Sequence, residues 1–393
     1  MAERMPPVAW TRREDLAALV EALGLGNARW VGGAVRDALL GEEAADVDCA
    51  TPLTPGQVTG RLEAAGIKPI PTGIDHGTVT AVLPGGNVEI TTLRRDVATD
   101  GRRATVEYAE DWQEDAARRD FTINALYADP ATLELFDYFG GLADLSARRV
   151  RFIGDARERI HEDHLRILRY YRFQARFGAE LDAEAEEACA ALAGTLKGLS
   201  RERVAMELLN LLALPDPAAT VARMQERGVL QVVLPECTHS QIDTLERVIA
   251  SERANAVAPD PLRRLAALLP PSPPVAETVA ARLRLSKRQR ARLVCAADRL
   301  AADAEAPRAL AYREGIACAI DRLLLEGADV AALRDWDVPE FPLKGGEIVG
   351  RGVAAGPEVA RILREAEAQW VAEGFPERTR VETILAALLR ETD

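Results

Sequence analysis

A surplus of positive charge is the first thing this chain lacks: 49 lysines and arginines face 62 aspartates and glutamates, for a formal net charge of −13. That balance excludes a nonspecific nucleic-acid coat or a binder of anionic membranes, which carry overall basicity. A local basic groove stays compatible with it. Cysteines are few and scattered: Cys49, Cys189, Cys237, Cys295 and Cys318 form no CxxC pair and are odd in number. Neither a disulfide framework nor a zinc knuckle is expected, and a reducing cytoplasm fits. No run approaches the roughly 18 apolar residues of a membrane span, and the opening MAERMPPVAWTRRED has no apolar signal region. The expectation is a soluble, cytoplasmic protein with no membrane partner, a monomer or weak homo-oligomer. Aromatics make up only 5% of the chain while alanine, leucine, arginine and glutamate abound, a mix that favours helices. There is no repeat of 20 to 50 residues and no low-complexity segment.

What is present divides in two. Residues 12 to 24 read as an amphipathic helix stopped by Gly24, and ARWVGG as a short strand running into a glycine turn. AVRDALLG has helical spacing with Gly41 as its stop. ADVDCAT, GTVTAVL and NVEITTL are β-branched and partly alternating, with PGGN as a hairpin turn between the last two. After Gly140 and Gly141 the pattern turns to arginine- and alanine-rich helical periods, with joints at residues 214 to 217, 269 to 274 and 338 to 346. At 393 residues a multi-domain protein is expected.

The segment WVGGAVRDALLGEEAADVDCAT, residues 30 to 51, carries the first chemistry. On a strand, Asp46 and Asp48 project from one face and Val47 points into the core. Two close carboxylates repel unless a cation sits between them, and magnesium suits hard oxygen ligands while leaving positions for phosphate oxygens. The Gly32-Gly33 turn brings backbone N–H groups and a helix N-terminus toward negative charge. The segment matches neither G-x-G-x-x-G nor the P-loop, so those two nucleotide-binding solutions are excluded and a polymerase-type site remains.

GGAVRDALLG…DVD resembles the first signature of the class II tRNA nucleotidyltransferase family, which contains the CCA-adding enzymes and bacterial poly(A) polymerases. Further signatures follow in order: TGIDHGTVTAVL, VEITTLRRD, ARRDFTINAL, LFDYFGGLADL, HEDHLRILRYYRFQARF and LSRERVAMELLNLL. The resemblance covers roughly residues 28 to 212, and 341 to 363 look like the family's tail segment. It implies an α+β protein: a polymerase β-like nucleotidyltransferase head of mixed sheet with helices (1–145), then all-α neck (146–215), body (216–300) and tail (301–393). It implies template-independent addition of CCA to tRNA 3' ends from CTP and ATP, with pyrophosphate released. The alternatives are a poly(A) polymerase of the same family and a noncatalytic tRNA-binding protein.

By that resemblance, Asp46 and Asp48 are catalytic and hold Mg2+ in two-metal phosphoryl transfer, with Glu89 a candidate third carboxylate. The nucleotide-binding set is Gly32, Gly33, Arg36, Arg119, Asp120, Asn124, Asp163, Arg166, Arg169 and Arg172. Asp163 and Arg166 in EDHLR read as i, i+3 on one helix face. An aspartate accepts from the exocyclic amino group and an arginine donates to the ring acceptor of cytosine or adenine, whereas uracil and guanine present the opposite order. The competing reading of the same residues is a surface salt bridge among Glu162, Asp163 and Arg166, worth under about 1 kcal/mol. Asp100, Gly101 and Arg102 match a D-G-R loop element carried by relatives that complete CCA, and EDHLRILRY stands where poly(A) polymerases of the family read EDPVRMLRA. His161 and His164 lack metal-site spacing and read as surface or RNA-facing residues, and His76 in DHGTVT reads as a turn residue. Between 148 and 176 nine arginines face four acids, a local basic face for phosphates, and RLRLSKRQRARL (282 to 293) is a second basic stripe.

Overall fold

The computed structural model describes residues 3–44, 46–74, 77–99, 104–109, 111–179 and 181–390. Two compact units, Met1–Pro235 and Glu236–Asp393, have their own hydrophobic cores.

The first unit begins with helix α1 (Glu14–Leu23), which buries Leu16, Leu19 and Leu23 and ends at Gly24, φ 85°. Strand β1 (Arg29–Val31) then enters α2 (Gly33–Leu40), which stops at the left-handed Gly41. Strand β2 (Val47–Thr51) precedes α3 (Pro55–Ala64), started by a Thr54–Gln57 capping box with Pro55 at its first position. Then come β3 (Lys68–Gly73), β4 (Thr78–Val82), β5 (Val88–Thr92), and the separate hairpin β6 (Arg94–Thr99) and β7 (Ala104–Tyr108). Helix α4 (Trp112–Ala117), strands β8 (Leu126–Ala128) and β9 (Leu135–Asp137) and helix α5 (Gly141–Ser146) complete the mixed part.

The seven-stranded sheet has the order β3-β4-β5-β2-β1-β8-β9, with β2 and β5 parallel and the other pairs antiparallel. Period-two burial is plain on β5, where Val88, Ile90 and Thr92 are buried and Glu89 is exposed. Because β1, β2 and β5 are neighbours, the turn after β1 and the acids of β2 meet at one end of the sheet. Fully buried side chains such as Leu62 of α3 and Ile90 each contribute about 1.5 to 3 kcal/mol of burial.

Past Ser146 the named elements among the described residues are helical: α6 (Ala156–Glu162), α7 (Arg166–Phe177), α8 (Ala183–Ala191), α9 (Arg201–Leu212), α10 (Ala218–Glu226) and α11 (Val229–Val233), beside a short 3-10 turn at Ala193–Gly198. The second unit holds α12 (His239–Ala254), α13 (Pro261–Ala267), α14 (Pro273–Arg282), α15 (Lys287–Ala297), α16 (Pro307–Glu314), α17 (Ile316–Leu325), α18 (Gly345–Val349), α19 (Pro357–Ala372) and α20 (Arg378–Arg390). One of its cores surrounds Trp370, whose indole N–H donates to the Pro376 carbonyl at 2.7 Å. No helix among the described residues is long and apolar enough to cross a membrane.

Two expectations change here. Cys295 of α15 and Cys318 of α17 are joined as a disulfide, their Cα atoms 6.2 Å apart. Spacing and parity do not reveal this pair, because packing of two helices sets it. At least half of the second basic stripe's six cations are paired: Arg282 with Glu236, Arg290 with Glu277, and Arg292 with Asp260 and Asp321. Three of the stripe's arginines thus close helix contacts in addition to any outward role.

Candidate active site

A cavity of about 730 Å³ opens at the end of the sheet where the β1–α2 turn, β2, the Arg118–Asn124 segment, α7 and α9 meet. Seven arginines (Arg36, Arg118, Arg119, Arg166, Arg169, Arg172, Arg203) line it against five carboxylates (Asp46, Asp48, Asp120, Asp163, Glu207). The acidic chain therefore has an arginine-rich concavity, the property a triphosphate requires.

Gly32 takes φ 70°, ψ −122° as the cap of α2, a conformation a Cβ would strain. Its N–H donates to the Leu126 carbonyl at 3.1 Å, which fixes the turn against β8. Amides offered to a phosphate thus come from Gly33 onward, the first turn of α2. Asp46 stands exposed just before β2 rather than within it, Val47 is buried, and Asp48 is half-buried on the strand. Glu89 sits beside Asp48 in the parallel register but is not among the residues lining the cavity. Burial first, then the negative charges of Glu89 and Asp46, push the Asp48 carboxyl up to about 6 despite Arg119. An excess of hard, negative oxygen donors at a site edge is the chemistry a divalent cation relieves, so these residues fit one.

Arg119 and Asn124 are held by dense networks. Asp115 of α4 accepts from Arg118 Nε at 2.8 Å, Arg119 Nη2 at 3.1 Å and the Tyr127 hydroxyl at 2.7 Å. The Arg119 Nε donates to the Tyr127 hydroxyl at 3.1 Å. Burial pushes the Asp115 carboxyl up, but Arg119 and Arg118 outweigh it and hold it at about 2. Asp120 accepts from the Asn124 amide at 3.0 Å and from Arg169 Nε at 2.7 Å. Burial again raises its carboxyl while Arg169 and Asn124 bring it down to about 2. Arg36 is buried, donates to Asp37 and to Asn124 Oδ1, and burial depresses its pKa. It reaches the cavity wall chiefly as a support for Asn124.

Helix α7 turns Ile167, Leu168, Tyr170, Tyr171, Phe173 and Phe177 inward. Its arginines at 166, 169, 172 and 176 recur every three or four residues, one helical stripe. Arg172 Nε donates to Glu207 of α9 at 2.6 Å, and Arg176 pairs with Asp37 and Glu42. Most of the nine arginines counted in the sequence are engaged in this way, Arg151 with Asp144 and Arg159 with Glu162 among them, and only Arg166, Arg169 and Arg172 line the cavity. The basic face is consequently narrower than the count implies.

The reading of Asp163 and Arg166 on one helix face is corrected. Helix α6 ends at Glu162, Asp163 is extended (φ −148°, ψ 106°), and α7 begins at Arg166. Asp163 Oδ1 accepts the Leu165 N–H at 3.1 Å and its carbonyl accepts the Arg166 N–H at 3.0 Å, the local bonding by which aspartate breaks helices. Both residues still line the same cavity. The Asp163 carboxylate pairs with Arg203 of α9 at 2.7 Å, while Arg166 pairs with Glu162 and donates to the carbonyls of Arg118 and Arg159, each at 2.9 Å. The competing Glu162–Arg166 ion pair is thus present as well. His164 Nδ1 lies 2.9 Å from the Ile160 carbonyl and packs edge-on against His161. His76 and the Asp100, Gly101 and Arg102 element lie outside the described residues.

Asp115, Tyr127, Arg203 and Glu207 were not singled out from the sequence. The i, i+4 spacing of Arg203 and Glu207 in SRERVAME was the available signal for the last two.

Comparison with known proteins places the chain as a whole among relatives. The family model described as the poly A polymerase head domain matches residues 28–151, and one described as a probable RNA and SrmB-binding site of polymerase A matches 178–240. Mouse mitochondrial CCA tRNA nucleotidyltransferase 1 is 36% identical over 388 residues, 92% of this chain and 87% of the relative. A Staphylococcus aureus CCA-adding enzyme is 39% identical over 188 residues, 47% of this chain and 46% of its own. The crystal structure of the Bacillus stearothermophilus CCA-adding enzyme in complex with CTP superposes with a TM-score of 0.76 at 29% identity, covering 96% of this chain and 97% of that one. Nucleotidyl transfer on such a head domain requires divalent metal. With a matching head-domain model and near full-length relatives, the chain belongs to the tRNA nucleotidyltransferase family of the CCA-adding enzymes.

Proposed function

We propose that this protein adds CCA to tRNA 3' ends from CTP and ATP, without a nucleic-acid template. The observation that carries the proposal is a single cavity joining two metal-fitting acids, Asp46 and Asp48, to a cluster of arginines and to Asp163 and Arg166. Both acids are present, which argues against a noncatalytic tRNA-binding protein. Near full-length likeness to enzymes named for CCA addition favours that product over poly(A).

In this reading Asp46 and Asp48 hold Mg2+, with Glu89 beside them as a further negative charge. The ion supplies charge neutralisation at the α-phosphate and at the departing pyrophosphate. The first-turn amides of α2 face the triphosphate. Arg119, Asn124, Arg169 and Arg172 grip the ribose and phosphate oxygens and offset the charge that builds on the leaving group. Gly32 and Gly33 let the backbone approach, and Arg36 and Asp120 hold Asn124 and Arg169 in place. As the RNA 3'-hydroxyl attacks the α-phosphorus, the bond to pyrophosphate breaks. Asp163 accepts from the amino group of cytosine or adenine and Arg166 donates to the neighbouring ring acceptor, so uracil and guanine are refused.

The division into head (1–145), neck (146–215), body (216–300) and tail (301–393) belongs to the same proposal, supported by the mostly helical run after Ser146. So do tRNA binding by the helical modules, action as a monomer or weak homo-oligomer, and a place in the cytoplasm. Asp48→Ala tests the metal acids: incorporation of both CTP and ATP disappears. Arg166→Ala leaves incorporation but loosens the choice of base. Retained activity in the first variant refutes the assignment of Asp48.

A further inference from the structure

We propose that Arg203 is a specificity-determining positioning residue, which sets the base choice of the site by fixing the direction of the Asp163 carboxylate. The inference rests on the reading that Asp163 and Arg166 face the incoming base. Asp163 lies in the break between α6 and α7, where helical packing does not fix its side chain. Two bonds do so instead. The Leu165 N–H holds Oδ1 at 3.1 Å, and Arg203, forty residues away on α9, holds Oδ2 at 2.7 Å.

An ionised carboxylate has about four lone-pair directions, and these two bonds occupy two of them. The last torsion of aspartate is broad and roughly two-fold when nothing restrains it. Anchored at both oxygens, the group presents its remaining lone pairs in one direction only, as needed to accept from an amino group and to repel a carbonyl. Arg203 itself starts from a fixed base, because Ser200 caps α9 and its hydroxyl accepts the Arg203 N–H. Both side chains are about one-third exposed, so the pair faces the cavity rather than the core.

Arg166 is independent of this bridge. Its guanidinium is held by Glu162 and by the carbonyls of Arg118 and Arg159. Loss of Arg203 therefore disorders the accepting half of the reading and leaves the donating half in place. The site would still bind a nucleotide and transfer it, with poorer discrimination at the position of the amino group.

The test uses the full-length protein and tRNA lacking its 3' CCA, with CTP and UTP assayed separately. In Arg203→Gln the ratio of kcat/KM for CTP over UTP falls tenfold or more, mostly through a higher KM for CTP and a rise in UTP use. Arg203→Lys keeps the charge but not the fork and gives an intermediate ratio; it also serves where Arg203→Gln does not accumulate as folded protein. Asp163→Asn lowers the ratio by itself, and adding Arg203→Gln to it causes little further loss. A ratio within twofold of wild type in folded Arg203→Gln and Arg203→Lys, beside a lowered ratio in Asp163→Asn, overturns the role of Arg203 and leaves the base-reading role of Asp163 standing. An unchanged ratio in Asp163→Asn overturns both.

Discussion

Asp115 is the point where removal of one small group should be felt in both stability and catalysis. Its carboxylate is buried, with a side chain 1% exposed, and binds Arg118, Arg119 and the Tyr127 hydroxyl. Asparagine approximates the protonated carboxyl in shape, so Asp115→Asn measures what the negative charge contributes. A carboxyl held at about 2 rather than its ordinary 3.8 gains about 2 kcal/mol from its charged form, at 1.36 kcal/mol per pH unit. Asp115→Ala also strands two arginines and should cost about 3 to 5 kcal/mol. Because the folded value lies below the ordinary one, the contribution is whole above about pH 4 and is lost as the pH falls toward 2. Urea unfolding of wild type and Asp115→Asn at several pH values reads this directly: a gap of about 2 kcal/mol at pH 7 that narrows below pH 4. The freed Arg119 should raise the KM for CTP several-fold, with a smaller change in kcat. A gap under about 0.5 kcal/mol at pH 7, or one that does not narrow in acid, together with an unchanged KM, would refute the reasoning.

Other consequences follow from single contacts. Gly32→Ala forces a Cβ onto a residue at φ 70° and should cost about 1 to 3 kcal/mol in thermal unfolding. Gly141→Ala places a Cβ into the Thr122 carbonyl, displaces the segment that carries Asn124, and should lower stability by about 1 to 3 kcal/mol. Trp370→Ala empties a core of the C-terminal unit around a side chain 2% exposed, with a loss of about 3 to 5 kcal/mol seen as an earlier unfolding transition of that unit. Chelation by EDTA should stop nucleotide incorporation without altering the circular dichroism spectrum, and added Mg2+ should restore it; incorporation in excess EDTA would contradict the metal assignment.

Local periodicity made much of the head legible. Leu16, Leu19 and Leu23 at helical spacing before Gly24, and the alternating strands around PGGN, are patterns that neighbouring residues alone enforce. The first carboxylate pair was legible for the same reason, although Asp46 falls just outside its strand. Asp163 was harder, since EDHLR has helical spacing and its reading as one helix face fails only because the aspartate bonds to the backbone two and three residues ahead. Charge counting failed where partners are distant. Arg172 finds Glu207, Arg203 finds Asp163 and Arg176 finds Asp37 across 35, 40 and 139 residues. The Cys295–Cys318 pair depends on helix packing in the same way.

The most direct measurement supplies tRNA lacking its 3' end with CTP alone, ATP alone and both, and reads product length at single-nucleotide resolution. CCA addition gives two nucleotides with CTP alone, and with both a product that gains CCA and stops at three. No incorporation at all, or growth past three nucleotides into an adenosine tract, would contradict it.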